Sequence, residues 1–218
     1  MNSMFSACRA LTTVPQFDTS KVTDMYQTFN NCPSLTMIPQ LDTSNVTNMS
    51  DMFNYCAALT SVPLLDTSKV TNMSGMFGSC NALTTVPQFD TSNVTKMNSM
   101  FSSCRALTSI PQLDTSKVTN MYGMCWYCEK LTTVSALNVD NVTDMTNMFY
   151  NCPNLKSILM TNIGVKLDIS ASTKFEREDL LVILNNLKTV TSATTLTMGS
   201  TNLAKLTDED KAIATNKG

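Results

Sequence analysis

Histidine is absent from all 218 residues. The commonest general base and the commonest transition-metal ligand are thereby missing together. Charge is scarce as well. Asp, Glu, Lys and Arg make up 15% of the chain and balance to a net charge of -2, so no basic field points to nucleic acid or to an acidic membrane. No run of about 18 apolar residues exists, and no transmembrane helix or membrane insertion is expected. The opening Met1-Asn2-Ser3-Met4-Phe5 lacks a basic segment followed by an apolar stretch, so no signal peptide is visible. Thr, Ser and Asn fill the space instead, a polar uncharged surface that suits a stacked, β-rich object. No acid, base and nucleophile fall together. An enzyme is not expected, and no catalytic, cofactor or metal site is assigned.

What is present is a period of 24 residues. Cys8, Cys32, Cys56, Cys80, Cys104, Cys128 and Cys152 keep it, as do Leu11, Leu35, Leu59, Leu83, Leu107, Leu131 and Leu155. Phe5, Phe29, Phe53, Phe77, Phe101 and Phe149 form a third column, with Cys125 in the missing place, and Val14 to Ile158 form a fourth. A fixed period means one structural unit copied and stacked. Met1-Asn2-Ser3-Met4-Phe5-Ser6 matches Met97 to Ser102 residue for residue, so the chain opens in the middle of a repeat. The expectation is a fragment of a longer chain, or an uncapped first coil covered by another chain, a second copy included.

One unit, Leu59 to Ala82, has three parts. Leu59 to Val62 is short and β-prone, and Pro63 ends or edges that strand because it cannot donate to a ladder. Asp66-Thr67-Ser68 is turn chemistry, with the carboxylate bonding backbone N–H groups just ahead. Met73, Met76, Phe77 and Cys80 then fall at i, i+3, i+4 and i+7, one face of a short helix. A second short strand at Val70-Thr71 is the competing reading. A lone coil cannot bury these columns, but coils stacked at the strand spacing of about 4.8 Å can.

The signature Leu-Thr-x-x-Pro-x-Leu-Asp-Thr-Ser-x-Val-Thr-x-Met-x-x-Met-Phe-x-x-Cys, seen in Leu107 to Cys128 with Cys125 replacing Phe, resembles the BspA-like leucine-rich-repeat family of bacterial surface proteins. The resemblance covers residues 1 to about 160. It implies a fold similar to leucine-rich repeats and a role in attachment and protein–protein contact, with some relatives in phage. It supplies no catalytic residues.

The cysteine column admits disulfide, metal and core readings. Cβ vectors in register run parallel, so bridging would distort the stack; buried, reduced thiols are expected. Cys125-Trp126-Tyr127-Cys128 reads as a repacked coil. The Asp column (Asp18, Asp42, Asp66, Asp90, Asp114) is expected to bond its own turns, since one carboxylate per coil falls short of the six to eight oxygens of a calcium site. Lys21, Asn45, Lys69, Asn93, Lys117 and Asn141 alternate, spacing the cations and placing them near the Asp row. The Thr19, Thr43, Thr67, Thr91 and Thr115 row raises an outside idea of ice binding. Where the copies differ most, large residues are aromatic. Tyr26, Tyr55, Tyr122, Trp126, Tyr127 and Tyr150 form the candidate contact surface, of a kind that suits protein or sugar faces.

The pattern decays after Cys152. Thr173-x-x-Glu176 reads as a capping box before a helix from Phe175 to Val190, Thr194 to Met198 reads as a strand, and Thr207-x-x-Asp210 opens a last helix with Gly218 at its C-cap. The expected whole is a right-handed leucine-rich-repeat-like solenoid over residues 1–160, with a small α/β cap over 161–218 that hides the last apolar face. The expected function is a non-enzymatic binding or adhesion module, at a cell surface or outside the cell, for a protein or glycan partner. The alternative is a phage virion component such as a fibre or tail part. Unpaired cysteines favour assembly in a reducing compartment.

Overall fold

A coil with apolar columns on both flat faces must be bonded to its neighbours, and the computed structural model, which describes residues 1–217, shows how. We number coils one to seven by the cysteine near the end of each, Cys8 to Cys152. Asp24, Asn48, Asn72, Lys96, Asn120 and Asp144 form one-residue parallel bridges from coil to coil. Just before each bridge the chain bonds backward: the Thr71 N–H reaches the Thr47 carbonyl at 2.9 Å, and Thr95 reaches Thr71 at 2.9 Å. Just after it the chain bonds forward, with Met73 N–H to the Lys96 carbonyl at 3.0 Å. The competing reading of a second short strand at Val70-Thr71 is thus reduced to a single bridging residue, Asn72.

The expected short helices do not form. From Met73 to Cys80 the chain is a staircase of tight turns. The N–H groups of Gly75, Phe77 and Ser79 cross to Asn98, Met100 and Ser102 of the next coil at 2.9, 2.9 and 2.7 Å, while Met76, Gly78 and Cys80 close turns onto the third residue before them. Gly75 and Ser79 sit at φ of 61° and 59°, the left-handed position that ends a type II turn and halts a helix. Non-glycine residues hold it too, among them Asp51, Tyr55, Ser103 and Tyr127, at a cost on the order of 1 kcal/mol each that the crossing bonds offset. The predicted face survives the loss of the helix, because three-residue turns keep the same spacing on one side. Met73, Met76, Phe77 and Cys80 are all fully buried.

Strands appear only where proline allows. Val14, Ile38, Val62 and Val86 each precede a proline, and no strand forms there. The described strands of the repeat region are β1 (Ser109–Ile110), which stops at Pro111, β2 (Thr133–Asn138), where Ser135 replaces proline, and β3 (Ser157–Thr161), where Leu159 does. They pair in parallel in the order β1-β2-β3 with Ile110, Val134 and Ile158 in register.

The core is a set of side-chain columns. Phe5, Phe29, Phe53, Phe77 and Phe101 stack with centroids 5.4, 5.6, 5.7 and 5.9 Å apart and rings within 11° of parallel. Each buried thiol of the 24-residue column donates back to the carbonyl at the phenylalanine position of the preceding coil, as Cys80 Sγ does to Phe53 O at 3.1 Å, Cys104 to Phe77 at 3.0 Å and Cys152 to Cys125, which replaces phenylalanine there, at 3.0 Å. The column is therefore a hydrogen-bond ladder as well as packing. All eight cysteines are free, and only Cys8 is exposed. A thiol reagent is expected to modify about one cysteine of the native chain quickly, and all eight once the chain is unfolded. Fast modification of several thiols in the native state, or fewer than eight after reduction-free unfolding, would contradict this packing.

After β3 the chain forms β4 (Leu167–Asp168), α1 (Arg177–Asn185), β5 (Leu196–Thr197), α2 (Ser200–Leu203) and α3 (Asp208–Thr215). β4 and β5 pair in parallel. α1 starts later and ends earlier than the pattern suggests, because its capping box is Glu176 with Asp179, not Thr173 with Glu176. Phe175, just ahead of the cap, is fully buried. α3 opens on the expected box of Thr207 and Asp210, and Arg177 clamps Asp210 through two bonds of 2.8 and 2.7 Å. The Gly218 C-cap expectation lies outside the described residues. α1 packs on β3 and α3, Ile163 bridges Leu187, and the Ser172 hydroxyl donates to the Cys152 carbonyl at 2.8 Å.

Candidate functional site

Most of the repeated polar residues are spent inside the stack. Asp42 accepts from the Ser44 hydroxyl at 2.7 Å and N–H at 3.0 Å, and Asp66 accepts from Ser68 at the same distances. Those bonds hold both carboxyls below the ordinary carboxylate range. Ser20, Ser92 and Ser116 donate backbone N–H groups to Asp18, Asp90 and Asp114 in the same way. Each Asp therefore serves its own turn, as the Thr-Ser context predicts. Among the described residues, no three His, Cys, Asp or Glu side chains gather as a metal ion would require.

The Lys/Asn row lies near the Asp row as expected: after the serine bonds, Lys69 helps to lower the Asp66 carboxyl and Lys117 those of Asp90 and Asp114. Lys69 and Lys117 bond the amide oxygens of Asn45 and Asn93, each at 2.8 Å. Asn45 and Asn93 in turn donate to the Ser20 and Ser68 carbonyls at 2.9 and 2.8 Å. The alternation is also a hydrogen-bonded relay from coil to coil. The Thr row corrects its expectation. Thr43, Thr67, Thr91 and Thr115 are buried, and their hydroxyls donate to carbonyls of the next coil at 2.7 to 2.9 Å. A buried row offers no surface to ice. In the Cys-x-x-Cys segment, hydrogen bonding to Cys128 and burial push the Cys125 thiol well up, opposite to the lowered value a reactive thiolate needs.

The aromatic surface is partly assembled. Trp126 meets Tyr127 edge-on with centroids 4.8 Å apart, and Tyr150 lies 5.7 Å from Tyr127 and 6.4 Å from Trp126. Tyr122 and Trp126 line one end of a groove of about 330 Å³ whose other end is Tyr55. Tyr26, on coil two, lines neither the groove nor the cluster. Trp126, Tyr122, Tyr150 and Tyr55 are 42, 45, 50 and 57% exposed. That is high for large aromatic residues on a scaffold that buries its other columns.

Residues between the aromatics were not singled out by column comparison. The groove exists because one column runs Asn54, Gly78, Ser102, Trp126, from nothing to the largest side chain. Its neighbour runs Asp51, Gly75, Ser99, Gly123. A Cβ at Gly75 would stand 2.1 Å from Asp51 Oδ1, and one at Gly78 would stand 2.6 Å from Asn54 Oδ1. The two glycines let Asp51 and Asn54 lie over the next coil. There Asn54 donates to Asp51 Oδ1 at 3.0 Å, and burial pushes the Asp51 carboxyl above its ordinary range. The paired glycines Gly75 and Gly78 of coil four, in columns where coils three and five carry Asp51, Asn54, Ser99 and Ser102, were the signal available in the sequence.

A family model described as "Mycoplasma protein of unknown function, DUF285" matches residues 1–84 and again residues 59–162. No curated protein matches the chain. The crystal structure of a leucine-rich repeat protein from T. pallidum aligns with a TM-score of 0.59 at 17% identity, covering 86% of each chain, which shows a leucine-rich-repeat-like fold. An internalin C2 from Listeria monocytogenes aligns over 73% of this chain and 75% of its own at 16% identity with a TM-score of 0.32. A leucine-rich cell surface protein from Faecalibacterium prausnitzii aligns over 69% and 68% at 17% identity with a TM-score of 0.26. At those scores the last two carry no argument.

Proposed function

The chain belongs to the family described as Mycoplasma protein of unknown function, DUF285, and from that premise, together with its repeat fold, we propose that it is a non-enzymatic binding module. Its working surface is the aromatic face of coils three to seven, presented to a protein or glycan at a cell surface or outside the cell. The observation that carries this reading is the clustering of exposed Trp126 and Tyr150 with half-buried Tyr127 next to exposed Tyr122, on a stack whose other repeated groups are bonded internally. Aromatic side chains with a polar tip give large contact area at low entropic cost. The finer architecture that supports it is a right-handed solenoid over residues 1–160, held rigid by the coil-to-coil bonds. Residues 161–218 close its last face: the buried Phe175, Leu180, Ile183 and Leu184 and the Ser172–Cys152 bond favour that role.

The test is binding of the fluorescently labelled chain to cultured epithelial cells and to immobilised matrix proteins. The double variant Trp126→Ala with Tyr150→Ala is expected to bind at least tenfold more weakly at unchanged melting temperature, a loss of about 1.4 kcal/mol or more. Equal binding by variant and parent, or none by either, sinks the reading.

A further inference from the structure

We propose that the groove between Tyr55 and Trp126 binds a neutral oligosaccharide; this rests on the contact-surface reading above and names its ligand class. The two ends of the groove differ chemically. At one end the Asp51 carboxylate and the Asn54 amide lie side by side, joined by a bond of 3.0 Å. That leaves acceptor and donor positions on adjacent atoms, the arrangement that meets neighbouring hydroxyls of a sugar ring. At the other end Tyr122 and Trp126, both exposed, line the groove with aromatic rings of the kind against which the C–H face of a sugar packs. The floor between them is Gly75, Gly78, Ser99 and Ser102, where side chains are absent or small.

The alternatives fit less well. No Lys or Arg lines the groove, so a phosphate, sulfate or carboxylate ligand has no counter-charge there and faces Asp51. An apolar peptide anchor wants a desolvated apolar pocket, and this floor is polar or bare backbone. The size suits a chain of sugars more than a single ring. Three coil steps separate Asn54 from Trp126, about 14 Å at the strand spacing. Burial has already removed part of the Asp51 carboxylate's hydration, which raises its pKa above the ordinary range, so covering it with an uncharged ligand costs less than covering a fully hydrated carboxylate.

Trp126 is the only tryptophan in the chain, so its emission reports directly on the site. The chain is applied to an array of neutral, sialylated and sulfated oligosaccharides, and bound neutral glycans are titrated by Trp126 fluorescence and calorimetry. The expected result is binding of neutral oligosaccharides with a shift in emission. Asp51→Asn and, by calorimetry, Trp126→Ala should each weaken it at least tenfold at unchanged melting temperature. Leu64→Ser, exposed and outside the groove, should leave it unchanged. The proposal is overturned if only charged glycans bind, if none binds, or if Asp51→Asn and Trp126→Ala bind like the parent. Periodate oxidation of the epithelial cells separates the two readings. Cell binding that survives periodate but falls in the Trp126/Tyr150 double variant ends the glycan assignment and leaves the contact surface standing, with a protein partner.

Discussion

Raising the pH from about 8 to about 10 is expected to unfold this chain, or to bring it near unfolding, in the presence of reductant. Burial pushes the Cys56 thiol up to about 12 from an ordinary 9.0. Cys80, Cys104 and Cys152 are raised well up by burial, and Cys125 by its bond to Cys128 and by burial. The sign follows from the protons. Below pH 9 both the folded and the unfolded chain keep these thiols protonated, and stability is fully present. Between about 9 and about 12 the unfolded chain loses its thiol protons while the folded chain keeps them, so stability falls as pH rises. One pH unit above the unfolded value withdraws about 1.4 kcal/mol per thiol. Five such thiols remove on the order of 7 kcal/mol, comparable with the whole stability of an ordinary domain. Thermal melts across this range, read together with the ultraviolet band of thiolate, check it. A melting temperature that stays level to about pH 10 would mean the thiols reach water in the folded state.

Phe77→Ala should cost about 4 kcal/mol. Phe77 is fully buried and lies between Phe53 at 5.7 Å and Phe101 at 5.9 Å, with Phe89 at 6.1 Å. Truncation opens a hole facing both neighbours at once, and in a stack each coil has only those neighbours to hold it. Collapse into the hole is resisted by the crossing bonds on either side, Phe53 N–H to Met76 O and Phe77 N–H to Met100 O, each 2.9 Å. The transfer and cavity costs therefore both apply. Denaturant titration with a fitted slope gives the number. Leu59→Ala, in a parallel buried column, should behave likewise. A loss under about 0.5 kcal/mol at either position is incompatible with these columns as the core.

The columns were legible because burial follows identity at a fixed spacing. Leu59, Val62, Phe77 and Cys80 repeat every 24 residues, and identical units pack identically. The Asp-Thr-Ser turns were legible because their bonds reach only two residues ahead. The helix was not, because a spacing of three and four is common to a helix and to a staircase of type II turns. What separates them is whether the N–H of Gly75 or Phe77 bonds within its own coil or to the next, and no single coil's sequence states that. The Thr67 row was misread for a related reason: its hydroxyl satisfies the Asp90 carbonyl of a different coil. The groove stayed hidden because it is defined by missing side chains, Gly75 and Gly78, whose effect depends on what Asp51 and Asn54 do above them.

Sequence alone determined that a 24-residue unit is copied, which residues face inward and that its thiols are core, since these depend on hydrophobicity and period. Tertiary structure decided where strands survive, because a proline in one coil or a serine in another acts on the ladder it shares with its neighbour. It also decided that four aromatic residues from coils six and seven meet on one face, while Tyr55 stands across a glycine floor. Adjacency between coils is a property of the stack, and a side chain's neighbours there are 24 residues away along the chain.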